Sequence, residues 1–115
     1  MSVQEPAMHR MIQQTREWNG GEYPWKLTCP LCGFDYVHIT ALKCLRQTEE
    51  TVVTKEGTFV RQSFNDIRGV KITIQYRCEN GHVGEIILQF HKGCVYLAHK
   101  VLPEAEVPHE DIWRD

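Results

Sequence analysis

The 115-residue chain lacks the features of several protein classes. No apolar run approaches the ~18 residues that a membrane-spanning helix requires, and the N-terminal segment has no apolar stretch typical of a secretory signal. The net charge of −2 argues against a strong non-specific binder of nucleic acid, which usually has a basic excess. The five cysteines are an odd number, which disfavours a complete disulfide framework. We therefore expect one domain with reduced thiols in the cytoplasm.

Sequence motifs of common catalytic sites are also missing. The chain contains no His-Glu-x-x-His, no Gly-x-Ser-x-Gly, no phosphate-binding glycine loop and no zinc-deaminase signature. Glu79 follows Cys78 and has the chemistry of a general base, but a carboxylate in a turn is normally solvated. We predict that the protein is not an enzyme and has no small-molecule substrate.

Two short cysteine motifs are the most informative features that are present. They are Cys29-Pro-Leu-Cys32-Gly33 and, about 45 residues later, Cys78-Glu-Asn-Gly-His82. A Cys-x-x-Cys turn places two thiolates at two corners of a tetrahedron, and Cys78 with His82 can supply the other two. A glycine in each turn permits the tight backbone. The pattern predicts one structural zinc ion bound by Cys29, Cys32, Cys78 and His82.

Other interpretations of the cysteines stay open at this point. A thioredoxin-like Cys-x-x-Cys opens a helix, whereas a strand-like segment follows Cys32. Buried cysteines without a metal, or a disulfide, are further alternatives. Cys94 could replace His82 as the fourth ligand, and His91 is a weaker substitute. Cys44 is expected to be a small buried apolar residue, although either extra cysteine, if close to the site, would allow oxidation to eject the zinc.

Alternating hydrophobicity predicts a mainly β, small α+β fold with an antiparallel sheet of three or four strands. The predicted strands cover 35–46, 68–77, 84–90 and 94–101. In the second, Val70, Ile72, Ile74 and Tyr76 are expected on a buried face, and Lys71, Thr73, Gln75 and Arg77 on a wet face.

Residues outside these strands give weaker signals. Residues 5–18 have helical spacing of apolar side chains and predict a short helix that ends at Asn19-Gly20-Gly21. Residues 47–66 form a long insertion between the two cysteine motifs, with a turn at Glu56-Gly57. They predict either a protruding hairpin or a mobile loop.

The sequence divides into three parts on this interpretation. Residues 1–26 form a helix and an aromatic lead-in, residues 27–102 form the zinc-bound β domain, and residues 103–115 form an acidic tail.

The motifs resemble those of zinc ribbons. Cys-Pro-x-Cys-Gly, Tyr-x-Cys-Glu-x-Gly-His and Phe-His-Lys-Gly, in that order, are similar to small bacterial and phage-borne zinc-ribbon proteins over about residues 27–100. The resemblance implies the ribbon fold and the zinc ligands but no particular activity. Zinc ribbons serve mostly as binding modules in transcription, translation, replication and protein docking.

The charge distribution suggests a first hypothesis, binding of nucleic acid. Residues 26–100 hold ten basic and seven acidic residues, whereas the flanks hold three and eight. Basic side chains would contact phosphates, and glutamine would contact bases. The predicted contacts are Lys43, Arg46, Arg68, Lys71, Gln75 and Arg77.

The flanking segments suggest a second hypothesis, docking to or inhibition of a larger protein complex. Aromatic residues in flanking segments can anchor an interface, and the acidic tail shows the charge asymmetry of an interaction segment. The predicted anchors are Trp18, Trp25 and Trp113.

Overall fold

The computed structural model describes residues 3–4, 11–16, 19–22, 25–62, 69–103 and 112. These residues form nine strands: β1 (Val3–Gln4), β2 (Ile12–Gln14), β3 (Trp25–Leu27), β4 (Val37–Arg46), β5 (Glu49–Thr54), β6 (Gly57–Gln62), β7 (Val70–Cys78), β8 (Val83–His91) and β9 (Cys94–Leu102). All pairings are antiparallel. The mainly β prediction is therefore confirmed. Within these ranges, no helix has the length and apolar character needed to cross a membrane.

The main sheet is wider than predicted. It has seven strands in the order β1-β9-β8-β7-β4-β5-β6, while β2 and β3 form a separate two-stranded sheet. The sheet gains two strands because residues 49–62 form the β5–β6 hairpin, which pairs with β4. The hairpin alternative for the insertion is thus confirmed over these residues. A further strand, β1, pairs with the C-terminal part of β9.

The helix predicted over residues 5–18 is wrong at Ile12–Gln14, which form β2. Ile12 pairs with Leu27 of β3, and the Thr28 amide donates a 2.7 Å hydrogen bond to the Met11 carbonyl. Long-range backbone pairing has overridden a short amphipathic pattern, as it commonly does where helix propensity is weak. Residues 5–10, 17 and 18 lie outside the described residues.

The prediction of one wet face on β7 is wrong in the middle of the strand. Thr73 and Gln75 are only 6% and 4% exposed, and the Thr40 hydroxyl donates to Oε1 of Gln75 over 3.2 Å. The face that carries them is covered at this place, since Ala41, which pairs with Gln75, and Ile87, which pairs with Thr73, are buried as well. Of the expected buried face, Tyr76 is fully buried and Val70, Ile72 and Ile74 are partly buried.

Buried side chains lie on both faces of the large sheet: those on one face include Ala41, Thr73, Gln75 and Ile87. A hydrophobic cluster on the other face packs against the segment that contains β2, β3 and the first cysteine motif. Its buried members are Met11, Cys29, Tyr76, Cys78 and Ile86. We call this side of the sheet the core face. Because directly paired residues share a face, the registers also place Leu42, Cys44 and Arg46 on the core face, and Lys43 and Leu45 on the opposite one.

A buried polar pair lies within this core. The Tyr76 hydroxyl and Nε2 of His99 are hydrogen-bonded, and both side chains are fully buried. Burial raises the pKa of Tyr76, and the nearby cysteines raise it further. Burial also lowers the pKa of His99. The pair is therefore neutral at physiological pH, so it satisfies two buried polar groups without burying a charge.

The close approach of Gly84 to Tyr76 generates a first prediction. A Cβ at position 84 would lie 2.6 Å from the Lys100 carbonyl oxygen and 2.8 Å from the Tyr76 hydroxyl. We expect Gly84→Ala to lower the free energy of unfolding by about 3 kcal/mol, measured by urea denaturation. The control, Gly93→Ala, has open space around the new Cβ but a φ of 80°, so it should cost only about 1 kcal/mol. Equal costs would contradict the crowding argument.

Candidate metal centre

The first cysteine motif forms a tight turn directly after β3. The Cys29 amide donates to the Phe34 carbonyl over 3.1 Å, and the Gly33 amide donates to the Cys29 carbonyl over 2.7 Å. Gly33 has a φ of 77°, which a residue with a Cβ adopts only with strain. The Gln13 side chain donates to the Gly33 carbonyl over 3.1 Å, so β2 also holds the turn. Cys29 is buried and Cys32 is exposed.

The second motif forms a similar turn between β7 and β8. The Cys78 amide donates to the His82 carbonyl over 2.7 Å, and the Gly81 amide donates to the Cys78 carbonyl over 2.9 Å. Gly81 has a φ of 91°. The two turns meet because Val37, at the start of β4, pairs with Cys78 at the end of β7. The Glu79 amide also donates to the Tyr36 carbonyl over 3.3 Å.

The four predicted ligands come together in space. Their ligand atoms all lie within 4.8 Å of one another. Sγ of Cys32 and Sγ of Cys78 are 3.7 Å apart, and Sγ of Cys29 is 3.8 Å from Nδ1 of His82. The arrangement can hold a metal ion between two halves of the chain that are far apart in sequence.

The protonation of the thiols is uneven. Burial alone would raise the pKa of Cys32, but hydrogen bonds from the Phe34 backbone, from Asn80 and from the neighbouring thiols outweigh it and lower this pKa to about 6. Burial, opposed by the Asn80 amide and reinforced by the neighbouring cysteines, raises the pKa of Cys78 to about 11. Close thiols cannot all ionise together without a cation, so the first negative charge resides on Cys32.

The remaining cysteines lie far from this cluster. Cys94 pairs with His91 at the other end of β8, about 30 Å along the strand from His82. Cys44 pairs with Ile72, six positions from Cys78 along β7. The alternatives in which Cys94 or His91 replaces His82 therefore do not fit the geometry. Neither Cys44 nor Cys94 is placed to form a disulfide with a ligand.

Asn80 is a site residue that the sequence reasoning missed. Its amide points at Sγ of Cys78 over 3.4 Å, and its side-chain Nδ2 donates to Sγ of Cys32 over 3.7 Å. Donors to the ligand sulfurs stabilise their negative charge and orient them. The position of Asn80 in the turn, two residues after Cys78, is the signal that could have revealed it.

The other predicted site residues that the structure describes do not lie together. Gln75 is buried and bonded to Thr40, and is therefore unsuited to contact a base. Arg46 lies on the core face, opposite to Lys43, Lys71 and Arg77. Of the predicted anchors, Trp25 is 61% exposed. Arg68, Trp18 and Trp113 lie outside the described residues.

Comparisons with known proteins return no match. No protein-family model matches the chain, and neither a curated protein nor a solved structure matches it. The zinc-ribbon resemblance therefore stays a prediction.

The uneven thiol pKa values generate a second prediction. At about pH 7.5, Cys32 is mainly a thiolate and Cys78 is a thiol, and metal ions bind thiolates. Metal binding must therefore release the Cys78 proton, so the affinity of the protein for zinc should increase as pH rises towards 11. The affinity should fall more steeply once pH drops below 6, because Cys32 is then also protonated.

Calorimetry measures this release directly. We expect at least one proton per metal ion when zinc chloride is titrated into the metal-free protein at about pH 7.5 in two buffers of different ionisation enthalpy. Equal heats in the two buffers would mean that no net proton leaves, which would contradict the assignment of Cys78 as a ligand.

Proposed function

We propose that this chain is a non-enzymatic nucleic-acid-binding module whose two cysteine turns are joined by one structural zinc ion, as in a zinc ribbon. Two sets of observations support the proposal. The first is the geometry of the four ligands, which concerns the metal. The second is the separation of charge between the two faces of the large sheet, which concerns the partner.

The ligand set favours zinc. Thiolate and imidazole donors suit this ion, and a tetrahedral zinc with Zn–S bonds of about 2.3 Å has sulfur atoms about 3.8 Å apart. The observed separation between Cys32 and Cys78 is 3.7 Å. Four protein donors leave no open position for a substrate, so the role that fits is structural. The ion would join the end of β3 to the β7–β8 turn.

The single observation that supports a nucleic-acid partner is the position of the basic side chains. Five of them lie on the face of the large sheet opposite the core face, and the acidic strand residues on that face are Glu50 and Glu85. The core face has one charged pair among its described strand residues, Arg46 and Glu49, 3.9 Å apart. We call the opposite side the basic face; its basic residues are Lys43, Arg61, Lys71, Arg77 and Lys100.

Two half-buried lysines of the basic face are suited to contact phosphates, whereas Thr73, Gln75 and Ile87 on the same face are buried. Lys43 pairs with Thr73 and Lys71 pairs with Leu45, so the two lysines are diagonal neighbours on adjacent strands. No ion pair links either lysine to a residue that the structure describes. Arg61, in contrast, donates from Nε to Glu50 over 2.7 Å. A phosphate between the two lysines would therefore meet charge that no described acidic residue neutralises.

Charge reversal tests the proposal. We expect Lys43→Glu combined with Lys71→Glu to weaken binding of a labelled oligonucleotide at least tenfold and to reduce the dependence of log Kd on log salt by about two phosphate contacts. Fluorescence anisotropy over a salt series measures both quantities.

Arg46→Glu provides the matched control. It also reverses the charge of a basic residue on β4, but its side chain lies on the core face. Binding should be nearly unchanged in this variant. If Arg46→Glu weakens oligonucleotide binding as much, for each charge reversed, as the double lysine variant does, the loss of affinity comes from the change in net charge. The basic face would then not be the binding surface.

The exposure of Trp25 supports a second candidate function, docking to a protein complex. An exposed tryptophan is a frequent interface anchor, and this one lies on β3, close in sequence to the first cysteine turn. Trp25→Ala would then abolish co-purification of a protein partner while leaving oligonucleotide affinity unchanged. Retention of the partner by this variant would exclude Trp25 as the anchor.

A further inference from the structure

The strand β6 is an edge of the large sheet, and its side chains are exposed on both faces. Among the strands that the structure describes, β6 pairs only with β5. Phe59 is 50% exposed and Val60 is 61% exposed, and because consecutive residues of a strand alternate, they lie on opposite faces. A ligand seated on one face would cover only one of them. A further strand alongside β6 would flank both.

The burial of the sheet interior ends at this strand. Val52 of β5, which pairs with Phe59, is 7% exposed, whereas every residue from Thr58 to Gln62 is exposed. The open surface is therefore the edge itself and not the face beside it.

The backbone of β6 has a row of hydrogen-bonding groups that point away from the sheet. Thr54 and Gly57 flank the two-residue turn between β5 and β6, so they form a hydrogen-bonded pair. Alternation along the antiparallel ladder then turns the amide and carbonyl groups of every second residue to the open side. We call these residues the outward residues of β6; they are Thr58, Val60 and Gln62. No backbone hydrogen bond joins their outward groups to a residue that the structure describes.

We propose that the chain forms a dimer in which β6 pairs antiparallel with β6 of a second copy, so that the large sheet continues across a two-fold axis at Val60. The inference goes beyond the proposed function and does not rest on it. An unpaired edge is a template for a further strand. A two-fold dimer uses the same patch on both copies, so the edge must be complementary to itself.

The backbone alternation and the charges select one register for this pairing. Outward residues must lie opposite outward residues for their amide and carbonyl groups to meet. With Val60 opposite Val60 of the second copy, Thr58 lies opposite Gln62, and all three outward residues of each copy are paired through about six hydrogen bonds. A shift that places Val60 opposite Gln62 would bring the two Arg61 side chains together, which is unfavourable. The opposite shift leaves Gln62 beyond the end of the partner strand.

The side chains of β6 are complementary in this register. On the core face the two Val60 side chains lie opposite each other and cover apolar surface on both copies. On the other face Arg61 lies opposite Phe59 of the second copy, where a guanidinium can pack on an aromatic ring. Arg61 also donates from Nε to Glu50 over 2.7 Å, so its charge keeps a partner. No like charges face each other across the axis, and the edge therefore fits a second copy of itself.

Sedimentation equilibrium of the full chain with charged substitutions at position 60 tests the proposal. An interface of one strand is at the small end of the range, so concentrations up to about 1 mM are needed. We expect the wild type to dimerise, and Val60→Lys and Val60→Glu each to weaken dimerisation about tenfold or more, because each places two like charges at the axis. An equimolar mixture of the two variants should dimerise again, since opposite charges then face each other.

A backbone variant tests the hydrogen bonds separately. The amide of Val60 points away from β5, so Val60→Pro removes a donor from the open edge and leaves the pairing with β5 intact. We expect Val60→Pro to be monomeric while its circular dichroism spectrum stays that of the wild type.

The other edge of the sheet provides the matched control. Val95 of β9 is 53% exposed, and it lies on the core face as Val60 does, since it pairs with Phe90, which lies in the same row as Val70 and Arg46. Val95→Lys should dimerise as the wild type does.

Three results would overturn the inference. A wild type that is monomeric over the whole concentration range would leave the β6 edge to an extended segment of a different protein. A dimer that persists in both charged variants at position 60 would have its interface elsewhere. Loss of the dimer in Val95→Lys, with no rescue when the two position-60 variants are mixed, would place the interface on the β9 edge.

Discussion

The meeting of the two cysteine turns is the constraint on which the rest of the structure depends. The turns are separated by β4, β5 and β6 in sequence, yet their ligand atoms lie within 4.8 Å of one another. A metal ion that links such distant segments restricts the unfolded chain and stabilises the native one. The small β2–β3 sheet and the buried Tyr76–His99 pair both lie close to this junction, since Gln13 of β2 donates to the Gly33 carbonyl and the cysteines raise the pKa of Tyr76.

The two faces of the large sheet differ in charge. The core face uses its apolar residues to hold the N-terminal segment and the cysteine turns, and it carries little charge. The opposite face has the long basic side chains, among them Lys43 and Lys71, while its centre at Thr73, Gln75 and Ile87 is buried. Because β-strands alternate between the faces, the same strands supply both surfaces, and the cluster of Cys29, Cys32, Cys78 and His82 lies at one end of β7.

Local features of the structure could be predicted from the sequence, whereas contacts between residues that are distant in sequence could not. The cluster of Cys29, Cys32, Cys78 and His82, which could hold a metal ion, and the strands near it follow from turn residues and alternating hydrophobicity, which act over a few positions. The extent of the sheet does not, since nothing local indicates that Val3–Gln4 pairs with Lys100 and His99. The burial of Gln75 and the strand at Ile12–Gln14 were missed for the same reason: partners distant in sequence determine both.

Native mass spectrometry of the protein purified without added metal tests the central claim most directly. The account predicts one zinc ion per chain in the wild type and in Cys94→Ser, and no retained zinc in Cys78→Ser. Cys94 is the appropriate control because it is an exposed thiol remote from the two turns. A metal-free wild type, or loss of zinc in Cys94→Ser, would contradict the ligand assignment and the structural role that follows from it.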